Sequence, residues 1–352
     1  MDKIFDIYTD YLQVNSGHAT ATGLSKILDN KISHDQITYM LNHINHKSID
    51  LWKQVKPLVR QHESTLGCLI FDDTIIHKPH TDQNNIVCWH YDHTSGKQVK
   101  GINLLTTFYN TTNNEIKLTV PIALDIIAKY GSYCDLKTKK VIFKSEFTKN
   151  DLMREQINIT IQNQVQFKYV LSDSWFSSSK NMIFINQLNK FFIFDLKSNR
   201  LASIDENTKF ESINLLNIQE NTPVKVWLKG IDFPVILIKQ VFTNKDGSTG
   251  NRFLVSNDLS LTSAELINTY HKRWSIEEYH KSLKQNASIS KSPTRTIKTQ
   301  SAHIFCSLIA YIKYEKYKIC TGLNHFALKT QLFINATRNS FLELATLKEK
   351  YL

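Results

Sequence analysis

No stretch of this chain approaches the run of about 18 apolar residues needed to cross a bilayer, so the pattern offers no transmembrane helix. The opening Met1-Asp2-Lys3-Ile4-Phe5-Asp6 has no basic segment leading into an apolar one, so no secretory signal is expected. Cysteine is scarce: Cys68, Cys88, Cys134, Cys306 and Cys320 are scattered, odd in number and without a Cys-x2-Cys pair. That excludes a disulfide framework and fits buried thiols in a reducing cytoplasm. Internal repeats and long low-complexity linkers are also missing. Acidic residues are in deficit, with 32 Asp+Glu against 43 Lys+Arg and a formal charge of +11. Such a balance favours a polyanionic partner through phosphate neutralisation and counterion release. What is present suffices for a sizeable core: 352 residues, 41% of them hydrophobic, enough for two or three structural units.

Residues 1–62 read as helical. Ala21–Leu28 and His34–Leu41 are short amphipathic segments separated by Asn30-Lys31-Ile32-Ser33, with Ser33 placed to cap the second. This is the outline of a helix-turn-helix, whose second helix would enter a major groove; a small helical bundle without DNA contact fits the same spacing. Strand signals then dominate. Leu66–Phe71 is an apolar run ending in Asp72-Asp73-Thr74, and Gly101–Tyr109 and Ile116–Leu124 flank the turn-like Asn110–Asn114. A helix is expected at about 146–163. It is followed by a strand at Phe167–Leu171 ending in Ser172-Asp173-Ser174, a further helix, and a strand at Lys190–Phe194. Short β segments (Val224–Leu228, Val235–Lys239, Arg252–Ser256) fill 196–260, and helices return at about 262–285, 299–319 and 323–350.

One stretch carries most of the chemistry. Read as a continuous helix, Tyr270, Arg273, Glu277 and Lys284 fall within about 60° of one another, while Ile276, Tyr279 and Leu283 take the opposite side. A carboxylate flanked by two cations and a phenol suits a metal ion beside phosphates; a solvated face of ordinary ion pairs has the same periodicity. Glu278 points about 100° away from Glu277 and off this face. Two aspartate positions, Asp72/Asp73 and Asp173, are read as strand ends, where a carboxylate is exposed and rigidly aimed. Aspartate also commonly starts turns. With Glu277, three converging acids would carry up to three negative charges, which a hard divalent cation such as Mg²⁺ offsets. Strand alternation sends Asp72 and Asp73 to opposite faces, so only one of them can be the ligand.

The spacing Tyr-x2-Arg-x3-Glu-x6-Lys at Tyr270, Arg273, Glu277 and Lys284 resembles the signature of bacterial insertion-sequence transposases of the insertion-sequence-4-like group, a branch of the DDE transposases. Phe71-Asp72-Asp73-Thr74 looks like that family's first motif and Leu171-Ser172-Asp173-Ser174-Trp175-Phe176 like its second. The resemblance implies an α/β, RNase H-like mixed sheet flanked by helices. It covers roughly 66–315, with 63–195 and 261–320 as the catalytic core and 196–260 as a β-rich insertion; the helical 1–62, a candidate helix-turn-helix DNA-binding domain, and the helical segment at 321–352 rest on the residue pattern alone. It also implies a catalytic, metal-binding triad of Asp73, Asp173 and Glu277, the family's Asp-Thr arrangement favouring Asp73. Two Mg²⁺ ions, with Mn²⁺ as substitute, would drive in-line cleavage and strand transfer. Tyr270, Arg273 and Lys284 become phosphate holders.

Downstream, 279–314 contains no acid but carries Lys281, Lys284, Lys291, Arg295, Lys298 and Lys313, the expected path of a DNA strand. Trp227 in the β-rich segment is a candidate base-stacking residue, a core tryptophan being the alternative. His77, His80, His90 and His93, with Cys88 nearby, lack the second cysteine of a zinc site and read as histidines near a DNA channel. The function expected is a cytoplasmic, nucleoid-associated transposase acting as a homodimer on double-stranded DNA, both transposon ends and target. An inactive DNA-binding regulator and an RNase H-like nuclease are the alternatives.

Overall fold

A computed structural model describes every residue except 1, 93, 94, 135, 137, 138, 140, 207, 208, 245 and 352, and the side chain of Ile142. Four helices come first: α1 (Asp2–Val14), α2 (Ala21–Ile27), α3 (His34–His43) and α4 (Ser48–His62). Ser33 closes a capping box on α3, its Oγ accepting the Gln36 amide while Gln36 Oε1 accepts the Ser33 amide. Strands β1 (Cys68–His77), β2 (Cys88–Asp92), β3 (Lys97–Asn113) and β4 (Ile116–Ile126) follow, then a separate ribbon of β5 (Gly131–Cys134) and β6 (Val141–Lys144). Next come α5 (Lys149–Gln162), β7 (Tyr169–Ser172), α6 (Ser179–Gln187) and β8 (Phe191–Leu196). Five further strands are β9 (Leu201–Ser203), β10 (Glu211–Ser212), β11 (Val224–Leu228), β12 (Val235–Thr243) and β13 (Thr249–Ser256). The chain finishes with α7 (Ser263–His271), a 3-10 turn at Lys272–Trp274, α8 (Ser275–Gln285), α9 (Ile297–Thr321) and α10 (His325–Tyr351).

The main sheet has 11 strands in the order β10-β9-β11-β12-β13-β8-β7-β1-β3-β2, with β4 also on β3. Among the described strand pairs, β1-β7 and β7-β8 are parallel and the rest antiparallel. Covered on both faces, these strands carry near-continuous apolar runs: Tyr169-Val170-Leu171 and Phe192-Ile193-Phe194 are all buried. The β-rich segment does not stand apart from the sheet, because β13 pairs antiparallel with β8 and extends it. Helices cover both faces. On one, Thr107 hydrogen-bonds Gln156 of α5. On the other, Tyr279 of α8 stacks on Phe108 at 4.6 Å between ring centroids and meets Tyr311 of α9 edge-on. Residues from all four leading helices join the core built on this sheet. Tyr8 of α1 hydrogen-bonds His303 of α9, and Ser48 of α4 exchanges hydrogen bonds with the Leu124 backbone.

Three local expectations change. First, β1 does not stop at Phe71 but runs to His77, so Asp72 and Asp73 lie mid-strand; pairing with β3 from Cys68↔Asn110 to His77↔Gly101 carries it through the acids. Second, the β3–β4 hairpin turns at Asn114-Glu115, both at positive φ, which is the backbone that a two-residue hairpin loop requires. Asn110–Asn113, expected in the loop, are strand. Third, the helix expected over 262–285 tightens to a 3-10 turn at Lys272–Trp274, where backbone amides bond carbonyls three residues back. Ser275 Oγ donates to the Lys272 carbonyl at 2.7 Å, and Asn110 Nδ2 donates to Ser275 Oγ at 2.8 Å, so side chains add to the backbone bonds there.

Candidate active site

Because side chains alternate along β1, its two acids meet different surroundings. Asp72 shares a face with Thr106 and Phe108 of β3, the face that α8 covers. Its Oδ2 lies 3.9 Å from His280 Nδ1. Asp73 is on the α5 face: its Oδ2 accepts from Asn103 Nδ2 at 2.8 Å and from Lys149 Nζ at 2.7 Å. Asp73, the acid favoured from the sequence, is therefore held by an amide and an ammonium, while Asp72 faces the helix that bears Glu277. The Asp73 amide donates to Asp72 Oδ1 at 2.9 Å.

The parallel register Phe71↔Ser172, extended by one residue, brings Asp173 alongside Asp72. Asp173 follows β7 directly, and its Oδ1 accepts the Trp175 amide at 3.0 Å. Neighbouring carboxylates raise the cost of ionising both acids. Burial first, then repulsion from Asp173 and Asp73, pushes Asp72 up to about 7, against the pull of the Asp73 amide and Arg273. Burial also raises Asp173, with a smaller push from Asp73, partly offset by the Trp175 and Phe176 amides and Arg273.

Arg273, on the 3-10 turn, is the cation common to this group. Its Nη2 lies 2.7 Å from Glu277 Oε1 in the first turn of α8, and its Nε is buried without a hydrogen-bond partner. Glu278 is exposed. Asp195, near the end of β8, joins the same electrostatic group: burial raises it to about 6, Arg252 and Arg273 oppose that rise, and Asp173 adds to it. The sequence reading missed Asp195 and Arg252. The signal for Asp195 was a lone acid inside Phe191-Phe192-Ile193-Phe194-Asp195-Leu196, next to the strand ending at Asp173. For Arg252, on β13, no local signal existed, because its place depends on β13 pairing with β8.

Tyr270 is 4% exposed, packed beneath two guanidiniums with Arg273 5.7 Å and Arg252 6.0 Å from its ring centroid. Arg252, Tyr270, His271, Arg273 and Trp274 line a recess of about 320 Å³, a size and charge suited to a phosphate-bearing group. Lys284 is exposed at the far end of α8, and Lys281 lies 5.1 Å over the Phe326 ring of α10.

The acid-free segment divides in two. Arg295 and Lys298 are exposed and Lys291 half-buried, but α9 is buried at every position from Thr299 to Ile312, so there the lack of acids reflects burial and not a strand path. Lys313 is taken by Asp6 and Asp10 of α1, at 2.6 Å each. Trp227 is half-buried on β11 opposite Ser203, with Lys225 Nζ 4.9 Å from its ring. His77 and His80 are exposed, while His90 is buried and pushed down to about 4 by burial and by Lys129 and Lys149. His93 lies outside the described residues.

Among the described residues no three His, Cys, Asp or Glu side chains stand close enough to hold a metal ion as they are placed. The donor set still fits a hard divalent cation. Asp72 and Asp173 are adjacent carboxylates at strained ionisation, and Glu277 is tied to a guanidinium whose charge does the work a cation would do. Asp72 on β1, Asp173 just past the parallel strand β7, the Arg273–Glu277 pair and the arginine-lined recess thus form one acidic and cationic group. Residues 146–313, a little under half of the chain, match the family model described as the transposase DDE domain. The match runs from just before α5 into α9, so it contains Asp173 and Glu277 and leaves Asp72 and Asp73 outside. It implies an RNase H-like fold and a phosphoryl-transfer enzyme, and such domains generally use a divalent metal. No curated protein matches the chain.

Proposed function

We propose that the protein is a DNA transposase of the insertion-sequence-4-like group, which binds the terminal inverted repeats of its element, cleaves there and joins the freed 3′-hydroxyl to target DNA. Asp72, Asp173 and Glu277 would hold Mg²⁺, which when bound neutralises the carboxylates and activates the attacking and leaving oxygens. The Lys149–Asp73 pair supports Asp72 over Asp73 as the first ligand.

The chain's own groups supply the rest. Arg273 offsets the carboxylates and, with Arg252, presents guanidinium forks to a phosphate in the 320 Å³ recess. The Tyr270 hydroxyl, raised by burial, stays protonated and can donate to a phosphate oxygen. Lys284, Lys281, Lys291, Arg295 and Lys298 extend the positive surface along the strand; Trp227 remains a candidate contact. Helices α2 and α3 support a helix-turn-helix reading, with Gln36, Tyr39 and His43 exposed on one side of α3. A homodimer is supported by the open apolar groove of about 960 Å³ along α10, lined by Phe326, Phe333, Ile334, Phe341 and Leu342 among others.

The direct test incubates protein and Mg²⁺ with DNA bearing the element's own ends. Nicking at the ends followed by joined products supports the reading. Cleavage without joining favours a nuclease, and binding without cleavage a regulator.

A further inference from the structure

Two residues past Asp173 the loop between β7 and α6 divides its aromatic side chains. Phe176 is 1% exposed in the core, while Trp175 is 48% exposed. Leaving an indole in water forgoes burial energy, and the loop has a buried aromatic already. Trp175 is nonetheless tightly placed: its amide N–H donates to Asp173 Oδ1 at 3.0 Å, fixing its backbone to the carboxylate. Two ammoniums from separate elements converge on the ring. Lys149, the first residue of α5, lies 5.6 Å from it, and Lys197, just past β8, lies 5.8 Å from it. Lys149 reaches back to Asp73 at 2.7 Å, so the ring, both lysines, Asp73 of β1 and Asp173 just past β7 form one connected rim.

We propose that Trp175, Lys149 and Lys197 form a binding site for an unpaired nucleotide of the DNA strand beside the carboxylates, the base stacking on the indole and the lysines taking the flanking phosphates. This rests on the reading that the carboxylate centre acts on DNA. Cation–π contacts near 6 Å at an exposed ring are at the weak end of their range. Stacking of a nucleobase on an indole is stronger and indifferent to sequence, so a base displaces an ammonium, which then finds a phosphate close by. The site is separate from the arginine recess: Trp175 follows β7, whereas Arg252 and Arg273 lie on β13 and the 3-10 turn.

The test uses the full chain and two short duplexes that carry the element's own end sequence, one blunt and one ending in an unpaired stretch that carries 2-aminopurine. Wild-type protein should quench the 2-aminopurine and prefer the unpaired end. Trp175→Ala should lose roughly 5- to 100-fold in affinity for the unpaired end, abolish the quenching and leave blunt-duplex affinity within about twofold. Trp175→Phe should recover part of both signals, which a misfolded loop would not. Lys197→Ala should lower the salt slope on the unpaired end by about one phosphate contact. Equal losses on both duplexes, or unchanged quenching in Trp175→Ala, overturn the site while leaving the transposase reading intact. Wild-type protein that binds neither duplex overturns both.

Discussion

Arg273 Nη2 lies 2.7 Å from Glu277 Oε1, so the guanidinium that offsets Asp72 and Asp173 also holds the third acid of the group. Arg273 thus stands in for positive charge that the carboxylates need. Arg273→Gln should lower the melting temperature in EDTA, corresponding to about 1–3 kcal/mol for a broken charged hydrogen bond left part-buried. Added Mg²⁺ should recover more stability in the variant than in wild type. Calorimetry with and without Mg²⁺ checks this, and an equal Mg²⁺ effect in both proteins would show that the arginine and the metal do not share the same acids.

The opposite faces of Asp72 and Asp73 separate their roles. Asp72→Asn, Asp173→Asn and Glu277→Gln should each reduce end cleavage by at least about a thousandfold, the order of loss when preorganised charge is removed from a catalytic site. Asp73→Asn, which frees Lys149 and weakens the bond to Asn103, should cost no more than about tenfold. The stabilities should diverge in the other sense. A carboxyl raised from 3.8 to about 7 in the folded state costs stability that grows as pH rises through that window, so at pH 8 Asp72→Asn should melt above wild type. If Asp73→Asn is the inactive variant and Asp72→Asn cleaves normally, the assignment to Asp72 is wrong.

Much of the site could be read from the chain because its signals are local. Glu277 follows Arg273 by four residues, Asp173 closes an apolar run, and Ser33 caps α3 with Gln36 three residues on. What could not be read depends on distant pairing. The length of β1 is set by β3, some thirty residues away, so an apolar run ending at Phe71 concealed a strand reaching His77. The tightening at Lys272–Trp274 comes with Asn110, whose amide holds Ser275 from another element. A helical wheel drawn across residues 270–284 assumes 100° per residue, which the 3-10 turn does not keep. Burial misled in the same way at α9, where a missing acid marks a core helix and not a strand path.

Glu315 ties the last two helices to the sheet and should be among the most sensitive polar residues. At 1% exposure, it faces Lys318 Nζ at 2.6 Å and His325 Nε2 at 2.9 Å, and its Oε2 accepts the Thr119 amide of β4 at 3.2 Å. Burial pushes its carboxyl up, but the His325 and Lys318 contacts outweigh this and hold it below its usual value. Glu315→Ala leaves those partners unpaired in the interior and should cost about 3–5 kcal/mol. Since His325 is the one buried residue of α10, the same change should release that helix to limited proteolysis before the rest of the chain unfolds. Cleavage that begins elsewhere would show that α10 is anchored by other contacts.

His303 makes acid lability a measurable property of the packing between the leading helices and α9. Its Nδ1 lies 2.9 Å from the Tyr8 hydroxyl and its Nε2 lies 2.9 Å from the Ser288 carbonyl. The carbonyl can only accept, so Nε2 carries the proton and Nδ1 accepts from Tyr8, which is the neutral ring. Burial, with a smaller push from Lys78, lowers its pKa from 6.5 to about 4. The sign follows from proton uptake. Above 6.5 both states are neutral and the histidine adds no pH dependence. Between 6.5 and about 4 the unfolded chain binds the proton more readily, so stability falls with falling pH, at most ~1.4 kcal/mol per pH unit from this residue. Below about 4 both states are charged and the slope ends. His280, lowered to about 3, and His90, lowered to about 4, act in the same direction. Asp72 and Asp195, raised to about 7 and about 6, act in the opposite direction in the same window, so the comparison between proteins carries the test: in urea denaturation from pH 7 to 4, wild type should lose stability relative to His303→Gln, whose side chain can keep one hydrogen bond but cannot take up a proton. Parallel slopes in the two proteins would mean that His303 is not the neutral, buried ring its partners describe.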